Sequence, residues 1–333
     1  MGGPCRAGLT RRHSLRLGLG LAAAIAAPAW AGPRASAWPQ RPLRLVVGFP
    51  GGSSADEIAR TLAEPLGVVL GQPVLVDNRQ GHSGLLAAQL VAHSDDDHTL
   101  GLLLNLHLTV APWLHADAGY DPARDVQPVA LAASTPLLLC LNPDLHVRGA
   151  PALQAARRAG AAWRYGSPGV GSPFHLAMEL LKASAGWQTE GVAYPGNAQV
   201  VNALLAGEVH LAMLPPALVR PLWRLGKLPV LGGTGPGVAA LLPGVPVLES
   251  LGVRGFQYDH WYALAAPRGW PAAHVERVGR AVRLALRTPA VQAALQRQGW
   301  LPGSGDTAAL LRRIDLFTQR LRPLLETAPW RGP

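Results

Sequence analysis

Short apolar runs and longer stretches of helical period alternate along this chain. Residues 44–47, 74–76 and 99–104 are compact apolar runs closed by Gly, Asp or Asn, as buried strands are. Residues 163–165, 191–194, 209–214 and 228–232 repeat the pattern further on. Helical stripes lie between them. Ile58, Leu62 and Leu66 mark a helix from near Ala55, and Phe174, Ala177, Met178 and Leu181 mark another. Further helices are predicted over 84–92, 150–159, 197–207 and 272–286. A last one covers 307–326, with Leu310, Ile314, Phe317 and Leu321 on one face.

Strand–helix alternation predicts α/β sheets with right-handed crossovers. The apolar runs 129–132 and 137–141 carry the chain into a second domain, and 261–266 returns it. The predicted limits are 38–136 plus 260–333 for the first α/β domain and 137–259 for the second.

The stretch WRYGSPGVGSPFHLAMELLK (163–182) concentrates the candidate chemistry. Gly166, Gly169 and Gly171 let a loop turn sharply after the strand, Ser172 is placed to cap the next helix, and Pro173 suits its first turn. A helix N-terminus there presents unpaired N–H groups and a partial positive charge, which suits an anion. The same design follows the first strand, where Gly48 to Ser54 lead into a helix and Ser54 and Glu57 have capping-box spacing. One such loop alone is equally consistent with a plain connection that binds nothing. The stretches after 99–104 and 191–194 make four exit loops, two in each half. Ligands in α/β sheets gather at strand carboxyl ends, so a cleft between two domains is expected.

The four loops, 48–55, 104–109, 166–175 and 194–198, contain no Lys or Arg. A carboxylate there would rest on backbone N–H groups, ordered water and hydroxyls such as Ser53, Ser167 and Ser172. Asp56, in a first helical turn, reads as a dipole partner or a loop brace rather than a catalytic acid. His107 reads as a structural histidine, with donation to a ligand carboxylate as the alternative. The run from His93 to His98 reads as a solvated turn rather than a metal site.

Composition narrows the function. The chain has 333 residues, 49% of them hydrophobic, enough for two domains with cores. Residues 1–37 read as an export signal: Arg6, Arg11, Arg12 and Arg16 precede a modest apolar run, 17–27, with small-x-small cleavage sites ending at Ala31 and Ala37. The twin-arginine pair Arg11 and Arg12 leaves that route open alongside general secretion. Removal takes away five arginines and no acids, so the formal charge falls from +10 to +5. No basic block or zinc-finger spacing remains, which argues against nucleic acid. Cys140 stays as a lone thiol, expected to be buried and inert.

Ser83 lies in GHSGL (81–85), which is not the hydrolase elbow, and no His-Glu-x-x-His occurs. No enzyme, cofactor or metal is expected, a secreted hydrolase being the weaker alternative.

In order, RPLRLVVGFPGG (41–52) with DEIAR (56–60), LGQPVLVDNR (70–79), YDPARDVQPV (120–129), YGSPGVGSPFH (165–175), GKL (226–228), PGVPVLE (243–249) and WYALAAP (261–267) make a set. The set resembles the extracytoplasmic solute receptors of the tripartite tricarboxylate transporter group, the Bug receptors, over nearly all of 38–325. The resemblance implies a type II periplasmic-binding-protein fold, two α/β domains closing on a small carboxylate-bearing solute. It implies a periplasmic monomer delivering a small organic acid to one large and one small integral-membrane transporter subunit, with a sensor presenting its solute to a signalling protein as the alternative. The site residues it implies are Phe49, Pro50, Gly51, Gly52 and Ser53, then Asn105 and His107. The second domain would add Ser167, Gly169, Gly171, Ser172, Tyr194, Gly196, Asn197 and Met213.

Four positions depart from the family pattern: Pro195 where Lys or Arg is common, Leu214 where Asp is common, Pro173 for a small polar residue, and Ser53 for a glycine. A solute with little need of an ammonium partner and with an apolar body is the expectation from Leu214 and Pro195.

Overall fold

The computed structural model describes residues 1–3, 38–158 and 162–328. The export signal with its cleavage sites, and the last residue of the helix expected over 150–159, lie outside the described residues. The described residues from Pro39 onward form one compact unit built on two sheets.

The strands are β1 (Leu43–Val47), β2 (Val74–Asn78), β3 (Thr99–Leu104), β4 (Val126–Pro136), β5 (Leu138–Leu141), β6 (Arg164–Ser167), β7 (Glu190–Ala193), β8 (Leu211–Leu214), β9 (Val230–Gly233), β10 (Asp259–Pro267) and β11 (Leu301–Pro302). The helices of the first half are α1 (Ser54–Leu70), α2 (Leu85–Ala92), α3 (Asn105–Thr109), α4 (Ala111–Leu114), α5 (Pro122–Asp125) and α6 (Gly149–Arg158). Those of the second half are α7 (Pro173–Ala185), α8 (Asn197–Leu205), α9 (Pro216–Arg224), α10 (Val238–Leu241), α11 (Ala272–Arg287), α12 (Pro289–Arg297) and α13 (Thr307–Glu326).

One sheet runs β11-β4-β10-β3-β1-β2, and the other β7-β6-β8-β5-β9. Both hold three parallel strands, β2-β1-β3 and β7-β6-β8, followed by one antiparallel strand. That antiparallel strand comes from the chain's other half. β5 follows β4 with only Leu137 between them, and β10 returns after β9. β4 and β10 pair from Asp259 opposite Pro136 to Pro267 opposite Val126, so the two crossings lie side by side.

Each sheet has its own core. Leu103, Val126, Trp261, Ala263 and Leu310 pack in one, and Leu138, Val200, Leu204, Val219 and Leu228 in the other. Burying each large side chain contributes about 1.5–3 kcal/mol, so α13 is held by its apolar face against β4 and β10 rather than by helix propensity. Cys140 is fully buried and free, as expected.

Local structure departs from the sequence reading in several places; Gly166, expected in the loop, lies inside β6, and α9 was not expected. The residues after β3 form a short helix, α3, not an exit loop. The N-cap of α1 is Ser53, one residue before the capping-box serine. Asn197 is the first residue of α8 with Gly196 in the cap position, so its side chain caps nothing. Helix α12 was hidden because its nine residues carry only Val291 and Leu295 as fully buried anchors.

Candidate functional site

The loop from β1 to α1 is braced from within. Ser53 caps α1, its Oγ accepting the Asp56 N–H at 3.3 Å. Asp56, 3% exposed, accepts from the Gly52 N–H at 2.9 Å, from Arg60 Nε at 2.9 Å and from Asn78 Nδ2 at 3.0 Å. Burial works against its charge, but the donors Arg60, Gly52 and Asn78 outweigh this and hold the carboxyl below its ordinary value. Asn78 also donates to the Phe49 carbonyl at 2.9 Å, tying the end of β2 to the loop. Asp56 is therefore the brace expected of it. Gly48 is obligatory here, since a Cβ would lie 2.6 Å from Gly84 Cα.

That contact seats the turn His82–Gly84, where His82 and Ser83 adopt φ of 46° and 53°. The Ser83 carbonyl faces His107 Nε2 at 3.1 Å, and Tyr120 Oη donates to the His107 carbonyl at 2.7 Å. His107 is 4% exposed, and burial lowers its pKa to about 4. The neutral ring must carry its proton on Nε2 to satisfy a carbonyl, so Nδ1 is an acceptor. His107 holds the turn and has no N–H left for a carboxylate.

In the second sheet, Ser172 caps α7 as expected, Oγ accepting the His175 N–H at 3.2 Å. The same hydroxyl donates to the Gly169 carbonyl at 2.8 Å, so its proton is already committed within the loop. Gly171 lies at φ +76° and donates its N–H to His175 Nδ1 at 3.3 Å. Burial lowers the His175 pKa to about 4, against the pull of Glu179, which keeps that ring an acceptor.

These loops enclose a cavity of about 340 Å³ between the carboxyl ends of the two sheets, within the size range of small-ligand sites. Three helices open onto it at their N-termini: α1 through Ser54 and Ala55, α7 through Pro173 and Phe174, and α8 through Asn197. The first-turn N–H groups of a helix have no intrahelical acceptor, so these ends combine donors with partial positive charge. Leu104, Leu106, Leu114 and Val170 supply apolar wall, and Phe49, Phe174, His260 and Tyr262 an aromatic one. No Lys, Arg, Asp or Glu is among the lining residues.

Of the residues expected from sequence, Phe49, Ser53, His107, Gly171, Ser172, Gly196 and Asn197 line this cavity. The others do not. Pro50, Gly51 and Gly52 form the exposed tip and inner side of the braced loop. Asn105 is fully buried behind it, donating to the Asp259 carbonyl at 3.3 Å. Ser167 is buried at the end of β6, Gly169 caps back onto Ser172, and Tyr194 packs on the second core with Oη directed to Glu208. Met213 is fully buried in β8 opposite Leu139, its backbone inside the sheet.

Sequence reasoning missed His260 and Tyr262, which sit on the returning strand. Register alone brings them in, Tyr262 pairing with Leu104 at the end of β3. A broader groove of about 800 Å³ runs along α1 and the edge strand β2, past Arg60, Val68 and Leu75. No helix N-termini converge on it. Asp96, Asp97 and His98 bring ligand atoms within 4.8 Å of one another, but Asp96 is engaged by Arg41, Thr99 and the His98 N–H, the work of a turn.

Two sheets with the same strand order, joined by paired crossings and facing each other across a cavity lined by helix N-termini, define the class of two-domain periplasmic solute-binding proteins. Residues 58–328 match the tripartite tricarboxylate transporter family receptor, TctC, and the chain belongs to that family. It is 32% identical over 325 residues to the UPF0065 protein in the tcbD-tcbE intergenic region of Pseudomonas sp. strain P51, covering 97% of this chain and 96% of that one. Protein BugT of Bordetella pertussis is 32% identical over 287 residues, 84% of this chain and 86% of that one.

Among solved structures, R. palustris Rpa4515 with adipate superposes with a TM-score of 0.74 at 31% identity, covering 87% of this chain and 98% of that one. MatC from Rhodopseudomonas palustris with bound malate gives 0.71 at 27%, covering 86% and 99%. The family is one of periplasmic solute receptors, and the chain belongs with these rather than with enzymes.

Proposed function

We propose that this receptor captures a small organic acid between two closing lobes and hands it to a large and a small membrane subunit of a tripartite tricarboxylate transporter. The observation that carries the reading is the cavity on which α1, α7 and α8 converge with their N-termini while no Lys, Arg, Asp or Glu lines it. Free N–H groups of Ser54, Ala55, Phe174 and Asn197, with the Ser53 hydroxyl, would hold a carboxylate. Each charge-assisted bond contributes about 1.5–3 kcal/mol, so a few of them reach micromolar affinity. The relatives with adipate and malate support the ligand class.

The lobes are assigned to 38–136 plus 260–333 and to 137–259, hinged near 133–140 and 257–262, where the crossings pair. Residues 1–37 are assigned to export, by the general or the twin-arginine route, and the mature receptor to a monomer. Small-angle scattering with and without a stabilising carboxylate tests closure: the radius of gyration should fall on saturation, and an unchanged radius defeats it. A thermal-shift screen in which amines or sugars stabilise the protein and no carboxylate does would remove the ligand class.

A further inference from the structure

The aromatic wall sorts the solutes that such a receptor accepts. His260 is 7% exposed and its ring lines the cavity, and its Nδ1, itself buried, has no hydrogen-bond partner within the protein. Its ring centroid lies 5.7 Å from Phe174, 5.4 Å from Tyr262 and 5.3 Å from Trp300, so the imidazole belongs to a packed aromatic cluster whose cavity side is a wall. Phe49 meets Tyr262 edge-on at 6.3 Å and extends the wall toward the α1 loop. From the other lobe Asn197 adds a second polar atom without a partner, Oδ1. Both unanswered atoms belong to uncharged groups.

We infer that this wall is an uncharged aromatic subsite, and that the solute is a monocarboxylate whose flat ring lies against it and turns a hydroxyl toward His260. The inference rests on the carboxylate-receptor reading and deepens it. Two physical arguments support it. A second carboxylate would be buried with no cation beside it, and an unpaired buried charge costs several kcal/mol. The titratable groups facing the cavity, His107, His115, His260 and Tyr262, are all shifted by burial toward their neutral forms, so none supplies the missing charge at neutral pH. A flat ring gains from stacking and edge contacts where a flexible chain does not. A hydroxyl both donates and accepts, so it can answer the His260 nitrogen in either tautomer.

The test is titration calorimetry of the purified protein with benzoate, its 2-, 3- and 4-hydroxy derivatives, adipate and malate. At least one hydroxybenzoate is expected to bind ten times or more tighter than benzoate, and benzoate tighter than either diacid. His260→Phe keeps an aromatic ring in the wall and removes the nitrogens, and should bring the affinity ratio of the best hydroxybenzoate to benzoate down from tenfold or more to below threefold, whatever it does to either affinity alone. Should that variant fail to fold, the wild-type order of affinities decides by itself. Tighter binding of adipate or malate overturns the aromatic subsite and leaves the carboxylate receptor standing. Failure of every acid to bind, with another class of solute bound instead, overturns both.

Discussion

Lowering the pH from 7.5 to 5.0 should strip the folded protein of a large part of its stability, because three buried imidazoles cannot take up protons. Burial lowers the pKa of His107 and His175 to about 4 and that of His260 to about 3, against about 6.5 in the unfolded chain. Below pH 6.5 the unfolded state binds protons that the native state refuses, so stability falls as pH drops from 6.5 toward 4. At pH 5.0 the deficit is about 2 kcal/mol for each histidine and about 6 kcal/mol for the three, at 1.36 kcal/mol per pKa unit. Typical domains have only about 5–15 kcal/mol in total.

The braced carboxylates do not compete in this window. Asp56, Asp77 and Asp96 lie below their ordinary values, so what they contribute is complete above pH 4. Asp259, pushed up by burial in spite of Arg313, acts in the opposite sense and trims the effect. Urea unfolding followed by tryptophan fluorescence at pH 7.5, 6.5, 5.5 and 5.0 reads this directly. His260→Phe should flatten the pH slope by about a third, as the loss of one of three equal contributions requires. A midpoint that stays constant or rises on acidification would refute the reasoning.

Other substitutions probe the loops. Gly171→Asp points a carboxylate across the cavity at Leu114, since a Cβ there lies 3.6 Å from Leu114 Cδ2 at φ +76°. Carboxylate affinity should fall at least a hundredfold by calorimetry, for about 1–2 kcal/mol of stability; retained affinity would mean that this loop does not hold the anion. Asp56→Asn breaks the brace shared by Gly52, Arg60 and Asn78, and should cost about 2–3 kcal/mol in urea unfolding and weaken ligand binding with it. Gly48→Ala drives a methyl into the Gly84 backbone and should cost about 1–3 kcal/mol by the same measurement, with unchanged stability contradicting the close approach of the two loops.

What could be read from the chain alone was whatever depends on neighbours in sequence. The Ser172 cap, the proline after it and the Phe174 to Leu181 stripe specify α7 locally, and α13 was legible from end to end for the same reason. The two sheets followed from alternation. What stayed hidden depends on register between distant strands. The run 261–266 read as a returning strand, yet nothing local says that Tyr262 pairs with Leu104 or that His260 stacks on Phe174. Met213, which the family resemblance implies for the cleft, pairs with Leu139 and lies inside the core, and that pairing too depends on a distant strand. His107 reads as a structural histidine from the chain alone, but its partner does not, because the Ser83 carbonyl that takes its proton comes from a turn made by left-handed residues.

The most direct measurement is a crystal structure grown with the acid that stabilises the protein best. The carboxylate is expected within hydrogen-bonding distance of N–H groups at the starts of α1, α7 or α8, in closed lobes, with no lysine or arginine drawn in. Density for the acid in the groove between α1 and β2, or a carboxylate clamped by an arginine, would contradict it.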